Sequence, residues 1–84
     1  MRHARADDLT RIEPLLGELR TIDGLKEKTP GAFYRGSKGY LHFHVDGDDF
    51  YADAKFDGTE FERVRATTKA EQRALVTRLR RALS

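Results

Sequence analysis

The stretch Gly39-Tyr-Leu-His-Phe-His-Val-Asp46, the pair Gly47-Asp48 and the run from Asp49 to Phe56 constrain this chain more than any other part of it. Successive side chains of a strand point to opposite faces, and glycine at the first central position suits a two-residue type II′ turn. Pairing across Gly47-Asp48 sets Val45 opposite Phe50, Phe43 opposite Ala52 and Leu41 opposite Ala54, all apolar. The same register sets His44 opposite Tyr51, His42 opposite Asp53 and Tyr40 opposite Lys55 on a polar face. A slip of one residue would mix the two faces, so the pattern itself selects this pairing.

The flanking segments supply the other layer. Leu9, Ile12, Leu15, Leu16, Leu19 and Ile22 recur at the helical period and predict a helix over 8–22. Thr10 and Glu13 have capping-box spacing, and Gly24 suits a stop. Pro14 is tolerated only in a first turn, so the regular helix either begins near Glu13 or follows a short turn bent at Pro14. Residues 25–31 read as a connection closed by Thr29-Pro30-Gly31, and Ala32–Arg35 as a short strand. In the simplest register Phe33 and Arg35 share the polar face, although the Gly36–Gly39 turn leaves Phe33 and Tyr34 free to exchange. Asp57-Gly58 signals a second hairpin into 59–65, with Lys55 facing Glu60 and Ala54 facing Phe61. Phe61 and Val64 are three apart, which implies a bulge or an early end. Thr68-Lys-Ala-Glu71 is a capping box opening a last helix whose apolar face carries Leu75, Val76, Leu79, Ala82 and Leu83.

The expected fold is therefore α+β, in the order α-β-β-β-β-α. It is a two-layer sandwich with both helices packed on one face of an antiparallel sheet. With 84 residues the chain reads as a single domain over 1–84, residues 1–7 forming a flexible lead-in. Its core should include Leu16, Leu19, Leu41, Phe43, Val45, Phe50, Ala52, Leu75 and Leu79. The absence of cysteine excludes a disulfide framework and thiolate chemistry. No apolar run reaches the roughly 20 residues of a membrane-spanning helix, and residues 1–8 lack a signal-peptide core. These features fit a cytoplasmic protein with no membrane partner.

The net charge of +2 conceals a division. Residues 63–84 carry Arg63, Arg65, Lys69, Arg73, Arg78, Arg80 and Arg81 against Glu71 alone, a net of +6. Residues 1–62 have a net of −4, with Asp46, Asp48, Asp49, Asp53, Asp57, Glu60 and Glu62 concentrated in 46–62. Such a division marks nucleic-acid contact, complementary faces within one fold, or a head-to-tail oligomer. Lys69, Arg73 and Arg80 form one helical stripe beside the apolar face and Arg78 lies on the opposite flank; the stripe, assisted by Arg78 and Arg81, would supply salt-dependent phosphate contacts.

The polar hairpin face holds the densest set of chemical groups: Tyr40, His42, His44, Tyr51, Asp53 and Lys55. His42, His44 and Asp53 form a candidate metal set, because two imidazoles and a carboxylate can bind zinc and leave a position for water. Neutral imidazole also suits copper or nickel. A histidine oriented by a carboxylate is two-thirds of a hydrolase triad, but the face carries no serine: Ser37 falls in a turn and Ser84 at the end. The aromatic groups could also stack bases, against which the neighbouring acids would repel phosphate.

The run Leu19-Arg-Thr-Ile-Asp-Gly-Leu-Lys-Glu27, followed by short strands with a turn at Lys38-Gly39, resembles the start of MmcQ/YjbR-type proteins. In that family a helix ends in a Gly-hydrophobic-x-Glu segment and feeds an antiparallel sheet. The resemblance covers the first two-thirds of the chain and implies a CyaY-like α-β-α sandwich. The family is often labelled DNA-binding, but no functional residue is carried over.

The reading that best combines these features is a small non-enzymatic binding module using the open sheet face, requiring no cofactor. Its partner would be a second copy or another protein. A nucleic-acid module using Lys69, Arg73, Arg78, Arg80 and Arg81 is the alternative. A metal-dependent or acid–base enzyme centred on His42, His44 and Asp53 is the second.

Overall fold

The computed structural model describes residues 1–84. The elements are β1 (Arg2–His3), α1 (Ala6–Thr10), α2 (Glu13–Leu19), β2 (Lys26–Thr29), β3 (Ala32–Arg35), β4 (Lys38–Asp46), β5 (Asp49–Ala54), β6 (Glu62–Arg65) and α3 (Lys69–Leu83). The fold is α+β, with one antiparallel sheet in the order β2-β3-β4-β5-β6. β1 also pairs with β4, on the same edge as β3: β3 pairs with the stretch Lys38–Leu41 and β1 with His44 and Val45.

The β4–β5 register is the one the alternation demands. Leu41 pairs with Ala54, His42 with Asp53, Phe43 with Ala52, His44 with Tyr51 and Val45 with Phe50. The Lys55 amide donates to the Tyr40 carbonyl at 3.0 Å, extending the ladder one step. Gly47 has φ +60° and no non-glycine residue has positive φ, which is the type II′ rather than the type I′ signature.

All nine residues expected in the core are buried. They belong to one hydrophobic cluster with Leu9 of α1, Leu15 of α2, Tyr40 of β4 and Val76 of α3. Phe33 also enters this cluster, fully buried. A register shift between Phe33 and Tyr34 places Phe33 opposite Leu41 on the apolar face, so the simplest register, which put Phe33 on the polar side, is corrected. Tyr40 departs from its expected exposure too: it is 3% exposed and its hydroxyl has no hydrogen-bond partner. Burial raises its pKa.

The regular helix α2 begins at Glu13, as one of the two readings of Pro14 expected, with the short α1 before it; Pro14 has no N–H to donate to the Thr10 carbonyl. Four further expectations are corrected. Thr10 does not cap α2; its hydroxyl donates to the Asp7 carbonyl at 2.7 Å. The connection 25–31 contains β2, a charged edge strand without alternation, turned by Pro30 and Gly31. The β6 register differs by one residue from that expected: Ala54 pairs with Glu62 and Asp53 with Arg63. The Asp57 carboxylate accepts the Thr59 and Glu60 amides at 2.9 and 3.0 Å, so the connection is a longer side-chain-braced loop rather than a tight hairpin.

Residues 1–7, expected to be flexible, contain β1 and the first residues of α1. One carboxylate accounts for this. Asp8 accepts the Arg5 amide at 2.9 Å and both terminal nitrogens of Arg2, at 2.5 and 3.1 Å. The Ala4 amide donates to the Phe43 carbonyl at 3.1 Å, completing the attachment. The Arg2 guanidinium and the Arg5 amide lower the Asp8 pKa to about 2.

Two predictions follow from this packing. Phe33→Ala should lose about 3–5 kcal/mol in urea unfolding, and Tyr34→Ala much less; equal losses would contradict the observed face of β3. A depressed folded pKa stabilises above the unfolded value and loses that effect as pH falls. The stability gap between wild type and Asp8→Asn should therefore be constant above the ordinary aspartate value of 3.8 and close toward pH 2. A gap unchanged across that range would rule out the carboxylate as the anchor.

Candidate functional site

The side chains of one sheet face form two cross-strand rows. His3, His44, Tyr51 and Arg65 stand opposite one another across β1, β4, β5 and β6. His42, Asp53 and Arg63 make the second row. The i and i+2 positions of a strand share a face, so His42 and His44 are neighbours by necessity. His3 joins them only because β1 pairs antiparallel with β4.

The three imidazoles form a compact group. Ring centroids lie 4.3 Å apart for His3 and His44, 5.1 Å for His42 and His44, and 5.7 Å for His3 and His42. One ring nitrogen from each can be chosen so that all three lie within 4.8 Å of one another. His3 is exposed, and His42 and His44 are half-buried. Phe61 packs edge-on against His42 at 5.0 Å, with the Lys55 ammonium 4.9 Å from its ring centre.

Asp53 lies behind this group. Its Oδ2 is 3.4 Å from His42 Nε2 and 3.3 Å from His44 Nδ1. Both of its oxygens are held by Arg63, Nε to Oδ1 at 2.7 Å and Nη2 to Oδ2 at 2.9 Å. This bidentate fork is the strong form of an ion pair, and it lowers the Asp53 pKa. His44 Nδ1 is buried and makes no hydrogen bond of proper geometry, despite its proximity to Asp53. Burial lowers the pKa of His42 and His44, partly offset by Asp53 and reinforced by the His3 charge. Their ring lone pairs are thus retained further into the acid range than those of a free imidazole.

The expected metal set of His42, His44 and Asp53 is placed differently from the sequence reading. His42 and His44 are together, Asp53 is committed to Arg63, and the third imidazole comes from His3. Neither His3 nor Arg63 was singled out from the sequence. The His3 signal, an Arg-His pair five residues before a helix-capping aspartate, is too short to read as a strand. Arg63 was hidden by the one-residue change in β6. Of the remaining expected face residues, Tyr51 and Lys55 are half-buried and Tyr40 is closed off.

The basic segment is divided in use. Arg63 pairs with Asp53, Arg65 with Asp49 and Glu71, and Arg78 with Glu62. Arg78 also stacks 3.8 Å from the centre of the Phe56 ring. Part of the charge division is therefore complementarity within the fold. Lys69, Arg73, Arg80 and Arg81 have no carboxylate within ion-pair distance. No helix is long and apolar enough to cross a membrane. No family model matches this chain, and no curated protein or solved structure matches it at a significant level.

Arg63→Gln should remove the main cause of the low Asp53 pKa. Because that depression stabilises the folded state fully above the ordinary aspartate value of 3.8 and less as pH falls below it, the variant should be less stable at neutral pH. It should converge on wild type as acid protonates Asp53, measured by denaturant unfolding at several pH values. A deficit that persists undiminished in acid would assign Arg63 a packing role instead.

Proposed function

We propose that this protein is a small non-enzymatic binding module whose ligand sits at the imidazole cluster on the open face of the sheet. The observation that carries this reading is the convergence of His3, His42 and His44 from two strands, with one ring nitrogen from each inside 4.8 Å. Burial keeps His42 and His44 neutral further into the acid range, which leaves their ring nitrogens free to accept a ligand. The two rows offer ligating and hydrogen-bonding groups but no serine or threonine nucleophile, which favours binding over acyl-transfer chemistry. Tyr51, Lys55 and Phe61 border the cluster and would shape what approaches it.

A second reading rests on α3. Lys69, Arg73, Arg80 and Arg81 are basic residues of one helix without ion-pair partners, and Arg73 and Arg81 border a shallow surface with Ala70, Ala74 and Thr77. Phosphate contacts from such a surface would be sequence-independent and steeply salt-dependent.

Residue-resolved NMR of the untagged chain separates the two. Inorganic phosphate at mildly acidic pH, zinc and a short DNA duplex at low ionic strength are added in separate titrations. The first reading expects at least one of these ligands to move the His3, His42 and His44 resonances ahead of those of α3. Shifts confined to Lys69, Arg73, Arg80 and Arg81 with the duplex, and absent at high salt, would replace it with the second. A cluster that none of the three perturbs would overturn it outright.

A further inference from the structure

We propose that His3, His42 and His44 form a binding site for a divalent transition-metal ion of the zinc or copper type, with Asp53 orienting the imidazoles from behind. This rests on the reading of the open face as the binding surface and names its ligand. A tetrahedral ion with bonds of about 2.0–2.1 Å holds its nitrogens about 3.3 Å apart. The chosen ring nitrogens lie within 4.8 Å, so closure requires a movement of about 1.5 Å at most, within reach of imidazole rotation about its side-chain torsions. Three imidazoles leave one tetrahedral position for water or an external ligand.

The donor set selects the metal class. Three neutral nitrogens with no inner carboxylate suit zinc, copper or nickel and disfavour magnesium and calcium, which prefer oxygen. Asp53 is withheld from direct ligation because Arg63 holds both its oxygens. Its Oδ2 stands 3.4 and 3.3 Å from the two imidazoles, where a small ring rotation would form the hydrogen bond of a carboxylate behind a ligating histidine, which fixes ring orientation and raises basicity. With Oδ2 close to His42 Nε2 and His44 Nδ1, the opposite nitrogens, His42 Nδ1 and His44 Nε2, are the ones freed for the ion.

Two separate observations point the same way. His44 Nδ1 is a buried polar atom with no hydrogen-bond partner, 3.3 Å from Asp53 Oδ2; an ion on Nε2 would place the ring proton on Nδ1, where a small ring rotation gives it that carboxylate as acceptor. A cleft of about 80 Å³ adjoins the cluster where β1 ends and β3 begins, lined by His3, Ala4, Gly31, Ala32 and His42 among others. His44 does not line it, and a water occupies about 30 Å³ of liquid volume, so the cleft offers room beside His3 and His42 for the water or external ligand of a bound ion.

The site also links metal to chain topology. His3 is contributed by a strand of only two residues, so an ion bound to it would pin β1 to β4 and slow exchange of the Ala4 amide.

The test is a zinc chloride titration of the untagged full chain, read by calorimetry and by imidazole NMR. One ion per chain should bind, moving the ring resonances of all three histidines and increasing protection of the Ala4 amide. Magnesium in excess should do neither. His3→Ala, an exposed position whose variant can be confirmed folded by circular dichroism, should weaken zinc at least about tenfold. Asp53→Asn should weaken it about 10–100-fold, and Asp48→Asn not at all. Unmoved imidazoles at excess zinc, equal response to magnesium, or wild-type affinity in both His3→Ala and His42→Ala would overturn the metal site. If phosphate moves the three histidines and zinc does not, the metal proposal falls while the binding-module reading stands. If neither ligand nor the duplex moves them, both fall.

Discussion

The antiparallel ladder between β4 and β5 is the constraint on which the rest of this structure depends. Six residue pairs are in register across it, and one glycine with φ +60° fixes where it begins. Because strand side chains alternate, that single choice sends Leu41, Phe43 and Val45 into the hydrophobic cluster and His42 and His44 to the other side. Residues of all three helices join that same cluster. The imidazoles owe their proximity to the same arithmetic, since no loop conformation is needed to bring them together. Chemistry placed on paired strands is held more rigidly than chemistry placed on loops.

Carboxylates do the joining that a small core does not. Asp8 binds β1 to the start of α1, and Asp53 binds β6 to the imidazole face. Glu27 receives Arg20 and the Gly31 amide, tying α2 to the β2–β3 turn. Glu71 accepts the Thr67 and Thr68 amides at the start of α3. Exposed ion pairs contribute little individually. The ones that matter here combine charge with backbone amides or with burial of the acceptor. Asp8 and Asp53, the two buried charged residues, both sit where a short strand must be held.

The sequence disclosed what depends on period and lost what depends on length. The β4–β5 pairing, the α3 capping box and the nine core positions all follow from repeated patterns over many residues. β1 and β2 have two and four residues, too few for any period to emerge. The faces of β3 and β6 were obscured by single-residue irregularities: a shift between Phe33 and Tyr34, and a loop around Asp57 one residue longer in effect than a tight turn. Each moved a functionally relevant side chain, Phe33 away from the polar face and Arg63 onto it. Three of the five groups at the imidazole site, His42, His44 and Asp53, were therefore legible. His42 and His44 were visible in a regular strand, whereas His3 and Arg63 depended on tertiary pairing that no local pattern encodes.

The edge of β4 is closed by two different pieces of chain, β3 over one end and β1 over the other. A β3 that stays in place preserves most of the sheet even when β1 leaves. What departure of β1 would uncover is narrow: the backbone around Phe43 and Val45, with unpaired hydrogen-bonding groups next to the imidazoles. Unpaired strand edges recruit other strands. The first few residues of this protein therefore act as a stopper for a short backbone slot, and Asp8 is the latch that keeps it seated.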